Sequence, residues 1–444
     1  MTDRFSGRWA DIPFKPRRWP FYYGWVIVCG ASLSIIASIP GQTIGVGVFV
    51  DYLVGALRLS RDHLSTAYLI GTIASSVTMP FAGRLLDRLG TRIMGVVASL
   101  GLGVSLLGFA YCARLSPAGD VAWLRAMITV GALFFCIRFF GQGMLTLVGR
   151  VMLARWFNYR RGLATSISNV FVSVAFTGGG AWVLNEMAMQ LGWRGAYLTQ
   201  FVAIGLVHAL FAWLFFRDNP EQCGLPQDGF GYTPRKQPDL EVVEAPDLTA
   251  GQAARTLSFW AFNAGLAVHA LLMTAIAFHL TSIGAEAGLD RARAYLVLLP
   301  MPVFSISGSF FCGWLCDRYD QKWSLTLMMA FLAFGITGLH YMATPWGKIM
   351  VMSGLGLSGG CFGVLSTVVW PHYFGKKHLG AINGASMFLV VFASALGPKF
   401  FSHIQEISGS FDLVLKISCL LPLAVIGPSL FVKRPVARTR DARL

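Results

Sequence analysis

The sequence is short of charge, and shorter still of carboxylates. Only 13% of its 444 residues are Asp, Glu, Lys or Arg, where soluble globular domains carry about 25%. With 55% hydrophobic residues, there is too little polar surface to wrap a chain of this length in water. The sequence also has no H-E-x-x-H, no G-x-S-x-G and no carboxylate pair inside an apolar stretch. That removes the common zinc-hydrolase and serine-hydrolase chemistries and argues against an enzyme. The eight cysteines mostly sit in apolar stretches, where a thiol packs as a small hydrophobe. Cys312 and Cys316 are one helical turn apart with no third ligand nearby, so they read as packing residues; no metal or cofactor site is expected.

What is present is a series of long apolar runs. Crossing a bilayer core takes about 20 apolar residues per helix. Twelve runs qualify: 24–50, 63–83, 93–113, 123–148, 162–186, 194–216, 257–283, 293–315, 323–343, 347–370, 379–403 and 411–432. The first follows Lys15-Pro16-Arg17-Arg18 and is long enough to span, unlike a cleaved secretory leader. The net charge of +15 comes from short basic clusters between the runs, which speaks for membrane topology and against nucleic acid as a partner. Arg17/Arg18, Arg84/Arg88/Arg92, Arg150/Arg155/Arg160/Arg161, Lys376/Lys377 and Lys433/Arg434 all fall on one side. The positive-inside rule makes that side cytoplasmic, together with both termini, and the compact tails suit an inner membrane.

Residues 217–256 differ from the rest. They hold Pro220, Pro226, Pro234, Pro238 and Pro246 among polar and acidic residues, as a solvated linker does. The expected organisation is therefore 1–216 as one six-helix bundle, 217–256 as a cytoplasmic linker, and 257–444 as a second bundle with its tail. The bundles share sequence. Gly83-Arg84-Leu85-Leu86-Asp87-Arg88-Leu89-Gly90-Thr91-Arg92 follows the second run, and Gly313-Trp314-Leu315-Cys316-Asp317-Arg318-Tyr319-Asp320-Gln321-Lys322 follows the eighth. Trp156-Phe157-Asn158-Tyr159-Arg160-Arg161-Gly162 precedes the fifth run; Tyr373-Phe374-Gly375-Lys376-Lys377-His378-Leu379-Gly380 precedes the eleventh. Internal repeats about a midplane site are a transporter signature.

Three buried-cation or titratable positions stand out. Arg138 lies mid-way along the fourth run. An arginine there costs about 2.5–3.5 kcal/mol on insertion scales, so it should face a cavity or a partner. It could hold a substrate carboxylate through two parallel hydrogen bonds, or serve structurally against helix carbonyls. Asp51, Glu186 and Asp412 sit only at run edges, so an anionic substrate is the natural counter-ion. The same lack argues against cation transport and against proton coupling through a buried carboxylate. His269, mid-way along the seventh run, could shuttle protons or be a neutral bundle histidine; His208 in the sixth reads as structural. Lys399 could attract anions at an outer vestibule or snorkel to the interface.

The ten-residue loop 83–92 is the best-known motif of the major facilitator superfamily, and the chain resembles that family over about 20–435. Finer features are similar to the branch of monocarboxylate carriers and oxalate/formate exchangers. These are Tyr23-Gly24-Trp25-Val26, Arg138-Phe139-Phe140-Gly141-Gln142-Gly143, Asn219-Pro220-Glu221-Gln222-Cys223-Gly224-Leu225 and Phe278-His279-Leu280. Carriers of that group often place an arginine in helix 8; here Pro302–Phe310 carries no charge.

The resemblance implies an all-α membrane protein of twelve helices in two pseudo-symmetric bundles. It implies alternating-access transport of a small organic anion, with a monocarboxylate as the reading, driven by proton symport or anion exchange. Helices 1, 4, 5, 7, 10 and 11 would line the cavity. Arg138, Gln142, His269, Gln42, Asn169, Asn263, Trp370 and Asn383 are then substrate-binding candidates, and His279 and Lys399 belong to the outer vestibule. Gly83, Asp87, Arg88, Arg92, Asp317 and Arg318 would gate the cytoplasmic side, each acidic residue meeting a helix N-terminus of the other half. Export of hydrophobic compounds, and a non-transporting sensor of the same fold, are the competing readings.

Overall fold

The fold, a computed structural model, describes residues 11–115, 122–229, 246–290, 296–297 and 299–435. Residues 230–245 of the expected linker, and 293–295 and 298 of the eighth run, lie outside the described residues. Twelve spanning helices account for nearly all of the rest. They are α1 (Gly24–Leu57), α2 (61–89), α3 (91–110), α4 (Trp123–Trp156), α5 (161–191), α6 (193–215), α7 (Leu257–Glu286), α8 (Met301–Arg318), α9 (Gln321–His340), α10 (Pro345–Phe374), α11 (Leu379–Ser408) and α12 (Asp412–Leu430). Length and composition alone mark nine stretches as able to cross a membrane. Two of those stretches run through tight glycine corners, and α8 falls short because it carries Asp317 and Arg318.

The corners are glycine for a steric reason. Gly90 separates α2 from α3 at φ 85°, and Gly192 separates α5 from α6 at φ 72°. With ψ near 160° this region is open essentially to glycine alone. Each corner reverses the chain without a loop.

Inside the bundle, large side chains fill the space between helices, while an outer ring faces away. Trp182, Phe278, Leu299, Val303 and Leu420 are all more than half exposed, which suits lipid tails as neighbours. Buried serines join helices to each other. Ser32 Oγ donates to Ser168 Oγ between α1 and α5 (2.8 Å), and Ser166 Oγ donates to the Ser309 carbonyl between α5 and α8 (2.5 Å). Interhelical bonds of this kind, plus close packing, hold membrane bundles together where the hydrophobic effect between helices is absent.

Two crossings tie one six-helix half to the other, and they are equivalent by the internal repeat. A Cβ on Gly83 of α2 would collide with the Gly380 carbonyl of α11, and a Cβ on Gly162 of α5 would collide with the Gly313 carbonyl of α8. Only glycine lets these backbones touch. Both crossings lie at the face where the described residues begin and end: Ile12 accepts from Arg92 and Arg217, and Lys433 accepts from Ser258 at the start of α7. That face is called the motif face below.

Candidate functional site

Helix α1 is broken at its middle. Pro40 has no N–H and, with Gly41, closes a short 3-10 turn over Ile39–Gly41; the helix restarts at Thr43 behind Gln42. The Gly41 carbonyl is therefore outside both helical ladders and open to another donor. Gly41 also lies backbone-to-backbone against Ile137, Gly141 and Gln142 of α4. The break in α1 is thus pressed on the level of α4 where α-helix gives way to a π-helical stretch, Arg138–Leu145. π turns of this kind recur at functional sites.

Arg138 uses that carbonyl. Its Nη1 donates to Gly41 O at 3.1 Å and lies 3.5 Å from Thr43 Oγ1, and its guanidinium sits 5.2 Å from the Tyr68 ring centroid. Thr43 and Tyr68 hydroxyls pair at 2.9 Å. The residue is buried, its Nε–H has no partner, and among the described residues no carboxylate lies within ion-pair reach. One turn on, the Gln142 Oε1 is also buried without a partner. Gln42 donates to Ser38 Oγ at 3.1 Å. Arg138, Gln142, Gln42, Thr43 and Tyr68 thus form one polar level around the break in α1. Thr43 and Tyr68 carried no distinct sequence signal.

A second arginine was hidden by the way the fourth run ended. The apolar run 123–148 stops before Arg150, which then reads as a loop residue. In the structure α4 continues to Trp156, and both Arg150 and Arg155 are helical. The apolar stretch Val151–Ala154 beyond Arg150 is the signal that would have extended it. Arg150 Nη1 lies 3.4 Å from Met387 Sδ on α11, and its guanidinium is 5.9 Å from the Phe362 ring centroid on α10. It reaches from one half into the other. His269 of α7 is buried and stacks on the same Phe362 ring, centroids 4.6 Å apart at 13°, with its Nε2 3.5 Å from Ser358 Oγ.

The other candidates are spread out. Asn169 of α5 fits against Gly363 of α10, with Nδ2 3.4 Å from Ser309 Oγ. Asn263 and Asn383 each donate to a carbonyl of their own helix, Phe259 at 2.8 Å and Leu379 at 3.0 Å; Asn263 Oδ1 is left without a partner. Trp370 is buried between Phe259 and Phe374 near the motif face, away from the Arg138 level. His208 pairs with Ser99 Oγ at 2.8 Å between α6 and α3. Towards the opposite face, His279 Nε2 meets the Pro398 carbonyl of α11 at 3.1 Å, and Lys399 is exposed.

At the motif face the two repeated loops dock alike. Asp87 accepts from Gly380 N–H (2.7 Å) and Ala381 N–H (2.8 Å) in the first turn of α11, and Arg155 Nη2 stands 3.2 Å from it. Asp317 accepts from Gly162 N–H (2.8 Å) and Leu163 N–H (3.0 Å) in the first turn of α5. Each carboxylate fills the orphan donors of a helix N-terminus in the opposite half. Arg88 and Arg318 are exposed, the latter over the Trp314 ring at 5.0 Å. Arg92 faces elsewhere: it donates to Trp213 O (2.6 Å) and Ile12 O (2.7 Å), so its side chain works inside its own half. The flanks of 217–256 bind the same region. Asp228 accepts from the N–H groups of Asn158, Tyr159 and Arg160, and Asp247 accepts from those of Lys376 and Lys377.

This arrangement can be compared with known proteins. Residues 32–398 match the family model of the major facilitator superfamily. The chain belongs to that superfamily. A protein of Thermoproteus tenax described as an uncharacterized 38 kDa protein in the 23S RNA operon is 26% identical over 436 residues, 95% of this chain and 98% of that one. Among solved structures, the proton:xylose symporter XylE is similar with a TM-score of 0.67 at 14% identity, over 92% of this chain and 95% of XylE. The human organic anion transporter MFSD10 is similar with a TM-score of 0.60 at 13% identity, over 91% of this chain and 98% of that one. These likenesses establish the fold. The family makes the chain an integral membrane protein and a secondary transporter; its residues must choose the substrate.

Proposed function

We propose that this member of the superfamily carries a small organic anion, a monocarboxylate, by alternating access. One observation carries the reading: Arg138 is buried half-way along α4 with an unused Nε–H and no carboxylate in reach among the described residues. A charge kept in that position needs compensation, and a bound carboxylate supplies it with the fork geometry a guanidinium favours. Gln42, Gln142, Thr43 and Tyr68 lie at the same level and can donate to the rest of a short hydroxy- or keto-acid. His269, with its Ser358 neighbour, is the group assigned to proton movement if transport is symport.

In this reading the motif face is cytoplasmic in the cell's inner membrane, as the basic clusters there favour. Residues 217–256 join two domains, 1–216 and 257–444. Asp87 and Asp317 latch the cytoplasmic side shut, so the described state is closed to the cytoplasm.

The reading is tested by ligand-induced stabilisation of the purified protein. Lactate, pyruvate or formate at a concentration about 100 times its dissociation constant should stabilise it by about 2.7 kcal/mol, seen as a rise in the unfolding midpoint. Xylose and fucose should leave the midpoint unchanged. A shift with the sugars and none with the acids would reverse the assignment.

A further inference from the structure

We propose that Arg150 forms a second, separate anion-binding site, on the cytoplasmic side of Arg138 and between the two halves. The inference rests on the anion reading above and adds a residue and a location to it. Arg150 lies within the membrane-spanning part of α4. Its recorded contacts there are a thioether and a ring face, Met387 and Phe362, both from the opposite half. Among the described residues no carboxylate is within ion-pair reach of it. Arg155, one turn further on, has Asp87 at 3.2 Å. The carboxylate available at this end of α4 is thus already engaged, by Arg155 and by the first turn of α11.

Snorkelling to the motif face would be the plain use of a long cationic side chain near a helix end. Arg150 does not follow it: its guanidinium turns across the bundle towards α10 and α11. A thioether is a weak acceptor and a ring face a modest one, so most of the donor capacity of the guanidinium is unspent. The neighbours match a short acid. Arg150 offers a fork for the carboxylate, Met387 and Phe362 offer apolar contact for its body, and His269, stacked on Phe362, offers a polar edge.

Spacing makes the two arginines separate sites. At 1.5 Å per residue, they are on the order of 18 Å apart along α4, too far for one short monocarboxylate to touch both. Arg138 is held within its own half by Gly41, whereas Arg150 touches the other half. An anion leaving Arg138 for the cytoplasm would meet Arg150 next along α4.

The test pairs transport with binding in the full-length protein reconstituted in liposomes. Arg150→Gln and Arg150→Met should each slow initial uptake of labelled pyruvate at least tenfold, and Arg150→Lys should slow it less. All three should keep a pyruvate-induced rise in unfolding midpoint, because Arg138 is intact, with Arg150→Gln and Arg150→Met losing only the share that Arg150 contributes. Wild-type uptake by Arg150→Met would overturn the inference, as would loss of the pyruvate-induced shift in a folded Arg150→Gln. A wild-type protein that moves no acid would overturn the anion reading itself, and this inference with it.

Discussion

Arg138→Gln is expected to cut the initial rate of monocarboxylate uptake by one to two orders of magnitude while leaving a folded protein. The native guanidinium has one short bond, to the Gly41 carbonyl, and an Nε–H with none. Gln can reach neither the carbonyl with a charged donor nor the substrate with a fork. A hydrogen bond to a charged group is worth about 1.5–3 kcal/mol, which corresponds to roughly 10–150-fold. Arg138→Lys keeps the charge and loses the planar fork, so its rate should fall between the two. A purely structural arginine would behave differently. It would lower the unfolding midpoint on substitution yet keep the acid-induced rise in that midpoint. Measuring uptake and the induced shift on the same preparations separates the two roles.

The double substitution Asp87→Asn with Asp317→Asn is expected to open the motif face. Each carboxylate accepts two backbone N–H bonds from a helix N-terminus of the other half. An amide there keeps the shape but loses the charge that favours the helix end. Losing about 1.5 kcal/mol at each site, the low end for bonds to charged groups, would shift the closed-to-open ratio by roughly 150-fold. Spin labels at Arg88→Cys and Lys377→Cys, both exposed positions, would report it. The distance distribution should move to longer values in the double variant, and each single variant should move it part-way. An unchanged distribution would mean that the glycine crossings, Gly83 with Gly380 and Gly162 with Gly313, close the face without the carboxylates.

The sequence was most legible where physics repeats itself. Twelve apolar runs are set by bilayer thickness, and each has a helix in the structure. The G-x-x-x-D-R loops could be paired because both perform the same local task, a carboxylate against the start of a helix. Interior polar residues were harder to place. Asn263, Asn383 and Trp370 looked alike to Gln42 and Asn169 in sequence, yet the first two bond within their own helices and Trp370 stacks among aromatics near the motif face. Helical phase and the neighbours each position meets decide this, and hydropathy does not carry either. Arg150 was lost for a related reason: hydropathy ends a span at the first charge, while α4 continues through two arginines whose neighbours are in other helices. Arg92, part of the same loop motif as Asp87, turned out to serve its own half because the Gly90 corner points the two residues in different directions.

The measurement that bears most directly on the anion-carrier account is uptake of labelled pyruvate, lactate and formate by the purified protein in liposomes, with oxalate as a dicarboxylate control. It would be run with and without an inward proton gradient, and with and without unlabelled acid trapped inside. The account predicts saturable uptake of at least one monocarboxylate. Stimulation by the gradient would identify symport, and stimulation by trapped acid would identify exchange. No uptake of any of these acids under either drive, from protein that is folded and correctly inserted, would contradict it.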